Sequence, residues 1–405
     1  MRTNPARLLR CLAAALLILA AALSLPAAGA EPETLLVLPF SNQTGNSRLD
    51  WIGDSVSEIL IEHLAAEGAG VVAPDLRDQA MQEMGLRRYA PITRATAIEA
   101  AAEADASLVL YGSFGLGPRG ARPGSGATLR INAHLLDARR LVRKGDFLVE
   151  VPLESLSAAQ TSLSWQVLRS LRPETLLAEE EFRRNHPDIR LDALENYARG
   201  LRASTPQNQH QYFAAAARIA PDFSPVLYRL GRLNFFVFRD DSAAASWFGK
   251  VSPASFHYRP SLFYLAICRY RTGDFPAAAA ALRALAALAP LPEVLNNLGA
   301  VLVRMGDPSA PQVLQSAADA NPSDPDIQFN LGYALWRAGR FEEAAEALRR
   351  SLQSGEDSTA TLLLGRCLQR RGPQPGELRL EGRERLKTDY REEAWLALRS
   401  LVKQP

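Results

Sequence analysis

The sequence predicts two fold classes in series: an α/β domain over residues 31–172 and an all-α solenoid of helix pairs over residues 192–372. Three observations carry that reading. In the first part, short apolar runs alternate with segments of helical period, as strands and helices of a layered fold do. In the second, glycine recurs at Gly273, Gly306, Gly339 and Gly372, each 33 residues after the last. The composition, 47% hydrophobic and 22% charged, is that of packed globular material and excludes a disordered or multi-span membrane chain.

Residues 1–30 have the three parts of an export signal. Arg2, Arg7 and Arg10 precede the apolar run Cys11–Leu23, and Ala28-Gly29-Ala30 closes the segment. The run is short for a bilayer span, which takes about 20 residues. A periplasmic protein beginning at Glu31 is the expectation; an inner-membrane anchor made of the uncleaved leader is the alternative. The formal charge of +2 includes those three arginines, so the remainder carries −1. Such a balance excludes bulk nucleic-acid binding, which needs surplus cations to displace counterions.

In the α/β part, Thr34–Phe40 reads as a buried strand, Trp51–Glu67 as a helix, and Val71–Ala73 and Ser107–Tyr111 as further strands flanking a helix at Thr93–Ala104. Thr128–Leu136 alternates apolar and polar residues and should pair with Asp146–Val151 across a turn near Asp137–Gly145. A helix over Ser155–Leu171 closes the unit. Residues 173–191 read as a solvated connecting helix, with Glu179–Arg183 and Glu180–Arg184 spaced as i,i+4 pairs.

The repeat holds more than the glycine step. A Leu–small pair recurs at Leu230-Gly231, Leu265-Ala266, Leu298-Gly299, Leu331-Gly332 and Leu364-Gly365. The small residue lets two helices approach, the later glycine ends the first helix in a left-handed turn, and an alanine such as Ala344 seats the return helix. These residues resemble the tetratricopeptide repeat over about Asp192–Gly372. The unit Gly231–Pro253 lacks the turn glycine, and Pro311 replaces the seat alanine in the fourth unit. Residues 373–405 are expected to form capping helices, with Asp389–Val402 starting on an Asp389/Glu392 capping pair.

The stretch Leu38-Pro39-Phe40, with Asn42, Gly45, Asp50, Trp51, Ile52 and Gly53, is similar to the amino-terminal domain of TolB-like proteins. Leu110-Tyr111-Gly112-Ser113 and Ala133–Ala138 fit the same pattern over about 35–152. The resemblance implies a non-enzymatic envelope or regulatory protein.

Chemical motifs are sparse. Gly115-Leu116-Gly117-Pro118-Arg119-Gly120 satisfies the dinucleotide pattern but leads to a strand, so it reads as a hairpin loop. Gly53-Asp54-Ser55 has no Asp-x-x-His partner and reads as a helix start. The five histidines are scattered, so neither a metal nor a cofactor site is expected, and no catalytic residue is assigned. Cys268 and Cys367, 99 residues apart, should be buried free thiols.

One surface is singled out. Arg271, Arg304, Arg337 and Arg370 stand two residues before the turn glycines, with Tyr333 and Trp336 nearby and Asn297 and Asn330 just before the Leu-Gly pairs. Read as functional, this row is a groove for a protein or peptide carrying acidic groups; read as structural, the arginines complement helix dipoles. The expectation is a non-catalytic exported scaffold in peripheral association with the cell envelope. An envelope sensor, with a small ligand in the α/β domain, is the alternative.

Overall fold

The computed structural model describes residues 33–86, 90–117, 128–174, 177–374 and 383–391. The leader and residues 392–402 of the expected terminal helix lie outside these.

The sheet is built on the apolar run after Glu33. Strand β1 (Thr34–Val37) lies between β3 (Gly70–Val71) and β4 (Leu108–Leu116), parallel to both. Strand β2 (Ser41–Asn42) also pairs with β4. An antiparallel meander follows, β4 to β5 (Thr128–Asp137) to β6 (Val142–Pro152). Helices α1 (Trp51–Ala66) and α4 (Leu156–Leu171) cover one face; α2 (Pro74–Glu83) and α3 (Arg94–Glu103) cover the other. This two-sided cover explains why β1 is apolar from Leu35 onward. Leu35 and Val37 enter one core while Leu36 and Leu38 enter the other.

Phe40, Gly53 and Gly112 meet at one packing point. Phe40 sits where a Cβ on Gly53 would strike its backbone and a Cβ on Gly112 its ring, so both positions must be glycine. Asn42 organises the following loop, donating to Asp50 Oδ1 at 2.7 Å and accepting from the Thr44 amide at 2.8 Å.

Three expectations are corrected here. Strand β6 begins at Val142, because the turn is only Ala138–Leu141, with Leu141 left-handed at φ 58°. Helix α2 was not anticipated; only Pro74, Arg77, Ala80 and Met81 are buried on it, too narrow a face to show as a periodic pattern. Helix α5 (Glu179–Asn185) forms with its Glu179–Arg183 pair at 2.9 Å, yet it is not simply solvated, since Phe182 is wholly buried in the α/β core.

The solenoid consists of α6 (Leu191–Arg202) with α7 (Pro206–Ile219), α8 (Ser224–Arg232) with α9 (Asp241–Phe248), and α10 (Tyr258–Arg271) with α11 (Phe275–Leu288). It continues with α12 (Pro292–Met305) and α13 (Ala310–Ala320), then α14 (Pro325–Arg337) and α15 (Phe341–Leu352), and α16 (Ser358–Leu368). Gly273, Gly306 and Gly339 adopt φ of 83°, 70° and 75°, so each first helix ends in the left-handed turn expected. The ends of α8 and α16 differ. Where the second unit lacks glycine, α8 runs into a π-helical turn, Leu233–Phe238, and Arg239 takes the left-handed position at φ 57°. In the last unit Arg370, not Gly372, does so at φ 51°.

The two parts share a core. Leu194, Tyr197 and Ala198 of α6, Phe213 of α7 and Val226 of α8 pack with Ile59, Leu60 and Leu64 of α1. At this junction Glu58 accepts from Arg77 Nη2 at 3.0 Å and from the Tyr197 hydroxyl at 2.8 Å, with all three side chains buried.

Residues 383–391 overturn the expected helix over their range. They run extended along the first helices of the last repeats.

Candidate functional site

The inner face of α10, α12 and α14 is unusual for a helix surface in holding buried amides. Asn296, Asn297 and Asn330 are at most 1% exposed. Leaving such groups unpaired would cost about 1–3 kcal/mol each, so their partners define what the face is for.

Those partners are peptide groups. Asn330 accepts from the Arg385 amide at 2.9 Å and donates to the Arg385 carbonyl at 2.8 Å. One repeat earlier, Asn297 accepts from the Lys387 amide at 2.7 Å and donates to the Lys387 carbonyl at 2.8 Å. Asn296 adds a second donor to the Arg385 carbonyl at 2.8 Å and accepts from Asn330 at 2.8 Å, which fixes the Asn330 amide in place. In an extended chain residues i and i+2 present their peptide groups to the same side. Two asparagines one helix pair apart therefore match alternate residues. Tyr264, a further 33 residues back, meets the main chain of Tyr390.

Side chains of the segment enter an acidic rim. Arg385 pairs with Asp326 at 3.2 Å and with Asp357, and its guanidinium lies 3.8 Å from the centre of the Phe329 ring. Lys387 meets Asp324 and Asp326, each at 2.8 Å. Asp324 and Asp357 are themselves helix caps, accepting backbone amides at the starts of α14 and α16. Burial alone would raise the Asp326 carboxyl, but Lys387 and Arg385 hold it below its usual value. Glu384 accepts from the Tyr270 hydroxyl at 2.9 Å, and the Tyr390 ring lies 5.5 Å from that of Phe263.

The residues singled out from sequence divide into two groups. Asn297 and Asn330 line the groove and hold the segment. Tyr333 and Trp336 are each 1% exposed and belong to the repeat core, stacked 6.0 Å apart, with Trp336 donating to the Arg371 carbonyl at 2.7 Å. Arg271, Arg337 and Arg370 are exposed, yet all four arginines are engaged within the repeats. Each reaches back to the preceding unit: Arg271 to Asp241 at 3.4 Å, Arg337 to the Val303 carbonyl at 3.2 Å, Arg370 to Glu342, and Arg304 over the Phe275 ring at 5.5 Å. They staple helix ends. The groove charge is thus the reverse of what an acidic partner needs.

Asn296, Asp324, Asp326 and Asp357 were missed. The signal was present, since Asp324 and Asp357 stand 33 residues apart, the same step as Asn297 and Asn330.

A tetratricopeptide repeat model matches residues 296–360 and 334–372, which take in most of α12 and all of α14 but not α10. No curated protein matches the chain. Among solved structures, the chain is similar to YrrB, "a TPR protein with an unusual peptide-binding site", at 17% identity and TM-score 0.39, covering 42% of this chain and 90% of that one. It is also similar to MamA from Desulfovibrio magneticus RS-1, at 20% identity and TM-score 0.36, covering 41% and 96%. Pseudomonas aeruginosa pilF aligns at 18% identity and TM-score 0.36, covering 44% and 83%.

The remaining chemical groups are quiet. Ser55 accepts from Gln160 at 2.9 Å inside the core, and Gly117 donates to Thr128 at 2.8 Å across the hairpin. Cys268 and Cys367 are free and buried, and burial pushes their thiols up to about 12 and about 11. Among the described residues no cluster of His, Cys, Asp and Glu fits a metal ion, and no helix is long and apolar enough to cross a membrane.

Proposed function

We propose that the protein is an exported, non-catalytic scaffold whose tetratricopeptide repeats hold an extended segment of a protein partner. The pair of amide clamps carries this reading: Asn330 and Asn297 each engage both the N–H and the C=O of one residue, recognising main chain rather than a particular side chain. The shape of the leader supports export to the periplasm with a mature terminus at Glu31. The TolB-like signature supports docking of the α/β domain to an envelope component. Exposed Leu141, Val142 and Leu148 on the sheet's β6 edge supply apolar surface for such a contact.

Cross-linking in envelope fractions tests the groove. Asn297→Ala with Asn330→Ala should lose the captured partner, whereas Arg304→Glu with Arg337→Glu should keep it while lowering the melting temperature. The opposite pattern would return the function to the arginine row.

A second reading, the envelope sensor, draws on a cavity of about 500 Å³ between α1, α5 and the α7–α8 turn, lined by Glu62, His63 and His186. Ligand-dependent thermal shifts of the full chain that vanish on His186→Ala would favour it.

A further inference from the structure

Resting on the peptide-scaffold reading, we propose that residues 383–391 are a tethered competitor for the groove. The partner they exclude then presents their chemistry: an extended segment with basic side chains at alternate positions, an acid before the first and an aromatic three residues after the second.

The groove reads that pattern position by position. The site around Arg385 is a carboxylate pair, Asp326 and Asp357, floored by the Phe329 ring, a combination that suits a planar guanidinium. The site around Lys387 places two carboxylates, Asp324 and Asp326, at equal 2.8 Å distances, which suits a compact ammonium. Leu386 between them is half-buried, and Thr388 and Asp389, which follow Lys387, are exposed. Tyr270 takes Glu384 and Phe263 takes Tyr390, setting the two ends. An acidic segment in the same register would put carboxylates against Asp324, Asp326 and Asp357.

Competition follows from the covalent connection. Eight residues, 375–382, separate the last described part of the repeat region from Arg383. An attachment this short gives a local concentration of about 1 mM. A tail with an intrinsic dissociation constant of about 10 µM would then weaken any rival about 100-fold. Its contacts are ones a partner reproduces: main-chain hydrogen bonds and ion pairs at the solvent edge.

Fluorescence anisotropy with a labelled synthetic peptide of sequence Arg-Glu-Arg-Leu-Lys-Thr-Asp-Tyr-Arg tests this on the full chain. Arg385→Glu with Lys387→Glu should free the groove, so this variant binds the peptide about 100-fold more tightly than the parent. It should bind a peptide with Glu at both basic positions at least about 100-fold more weakly. Adding Asn297→Ala and Asn330→Ala to the freed chain should cut peptide affinity at least about 10-fold. Equal affinity in parent and freed chain would overturn the competition. Equal affinity for the two peptides would overturn the basic pattern while leaving main-chain reading intact. A freed chain with parental circular dichroism that binds neither peptide would sink the scaffold reading as well. Should the double charge reversal unfold, Lys387→Ala alone is the substitute, with about a 10-fold gain expected and no gain counting against the proposal.

Discussion

The two ends of the solenoid are closed by different physics. At the first end, α6 to α8 merge with the α/β domain through a shared apolar core, and the charges trapped there, Glu58 with Arg77 and Tyr197, are removed from water. At the last end, residues 383–391 lie on α10, α12 and α14 through amide clamps and half-exposed ion pairs. Separating the first contact would expose apolar surface at about 25 cal/mol per Å² and strand buried charge. Separating the second exchanges hydrogen bonds worth about 0.5–1.5 kcal/mol each for equivalent bonds to water or to another peptide. One end is a permanent joint; the other is a replaceable contact.

The sharpest way to break the permanent joint is Glu58→Ala. It leaves Arg77, only 3% exposed, with the half-exposed Asp78 carboxylate at 2.8 Å in place of its buried partner, and the expected cost is about 3 kcal/mol. Urea denaturation should show the α/β domain and the first repeats losing stability together. Separate transitions would mean that the shared core does not couple them.

Within the solenoid, Gly332→Leu should cost about 2–4 kcal/mol, because a Cβ there comes within 2.7 Å of Leu348 Cγ. The equivalent Gly365→Leu should cost under about 0.5 kcal/mol, since nothing lies within 4 Å of a Cβ at that position. Matching costs in thermal melts would show that repeat register, not close approach, governs these glycines.

A smaller effect reads the joint through pH. Burial lifts the Glu62 carboxyl from 4.5 to about 7, against the lowering effect of the Phe256 amide and Ser255 hydroxyl it accepts from. The folded protein therefore keeps a proton that the unfolded chain releases between pH 4.5 and about 7, so this group lowers stability as pH rises through that window. Glu62→Gln is neutral throughout. It should be about 3 kcal/mol more stable than the parent at pH 8 and close to it at pH 4. A gain independent of pH would mean that the carboxyl is not titrating in the joint.

The elements with strong periodicity were legible in the sequence. Ile52, Val56, Ile59 and Leu60 mark α1, and the 33-residue step located the helix pairs and three of their left-handed glycines. What escaped lacked a local signature. Helix α2 is largely polar, and the turn at Arg239 rests on a π-helical distortion that no glycine announces. Asn297 and Asn330 were visible as a repeated polar pair on a face that should be apolar. Their ligand was not, because it lies 55 to 90 residues further along the chain and has no periodicity of its own. The Asp389/Glu392 pair resembled a helix start, whereas Asp389 itself belongs to an extended segment whose conformation is imposed by the groove.

Hydrogen exchange on the full chain tests the difference between the two ends most directly. Amides of Arg385 and Lys387 should be protected but exchange through local opening, orders of magnitude faster than those of Ile59 to Leu64 in α1, and Asn330→Ala should speed the first group without touching the second. Exchange of both groups at one common rate, unaffected by Asn330→Ala, would contradict the account, because the carboxy-terminal segment would then be as much a fixed part of the fold as the joint.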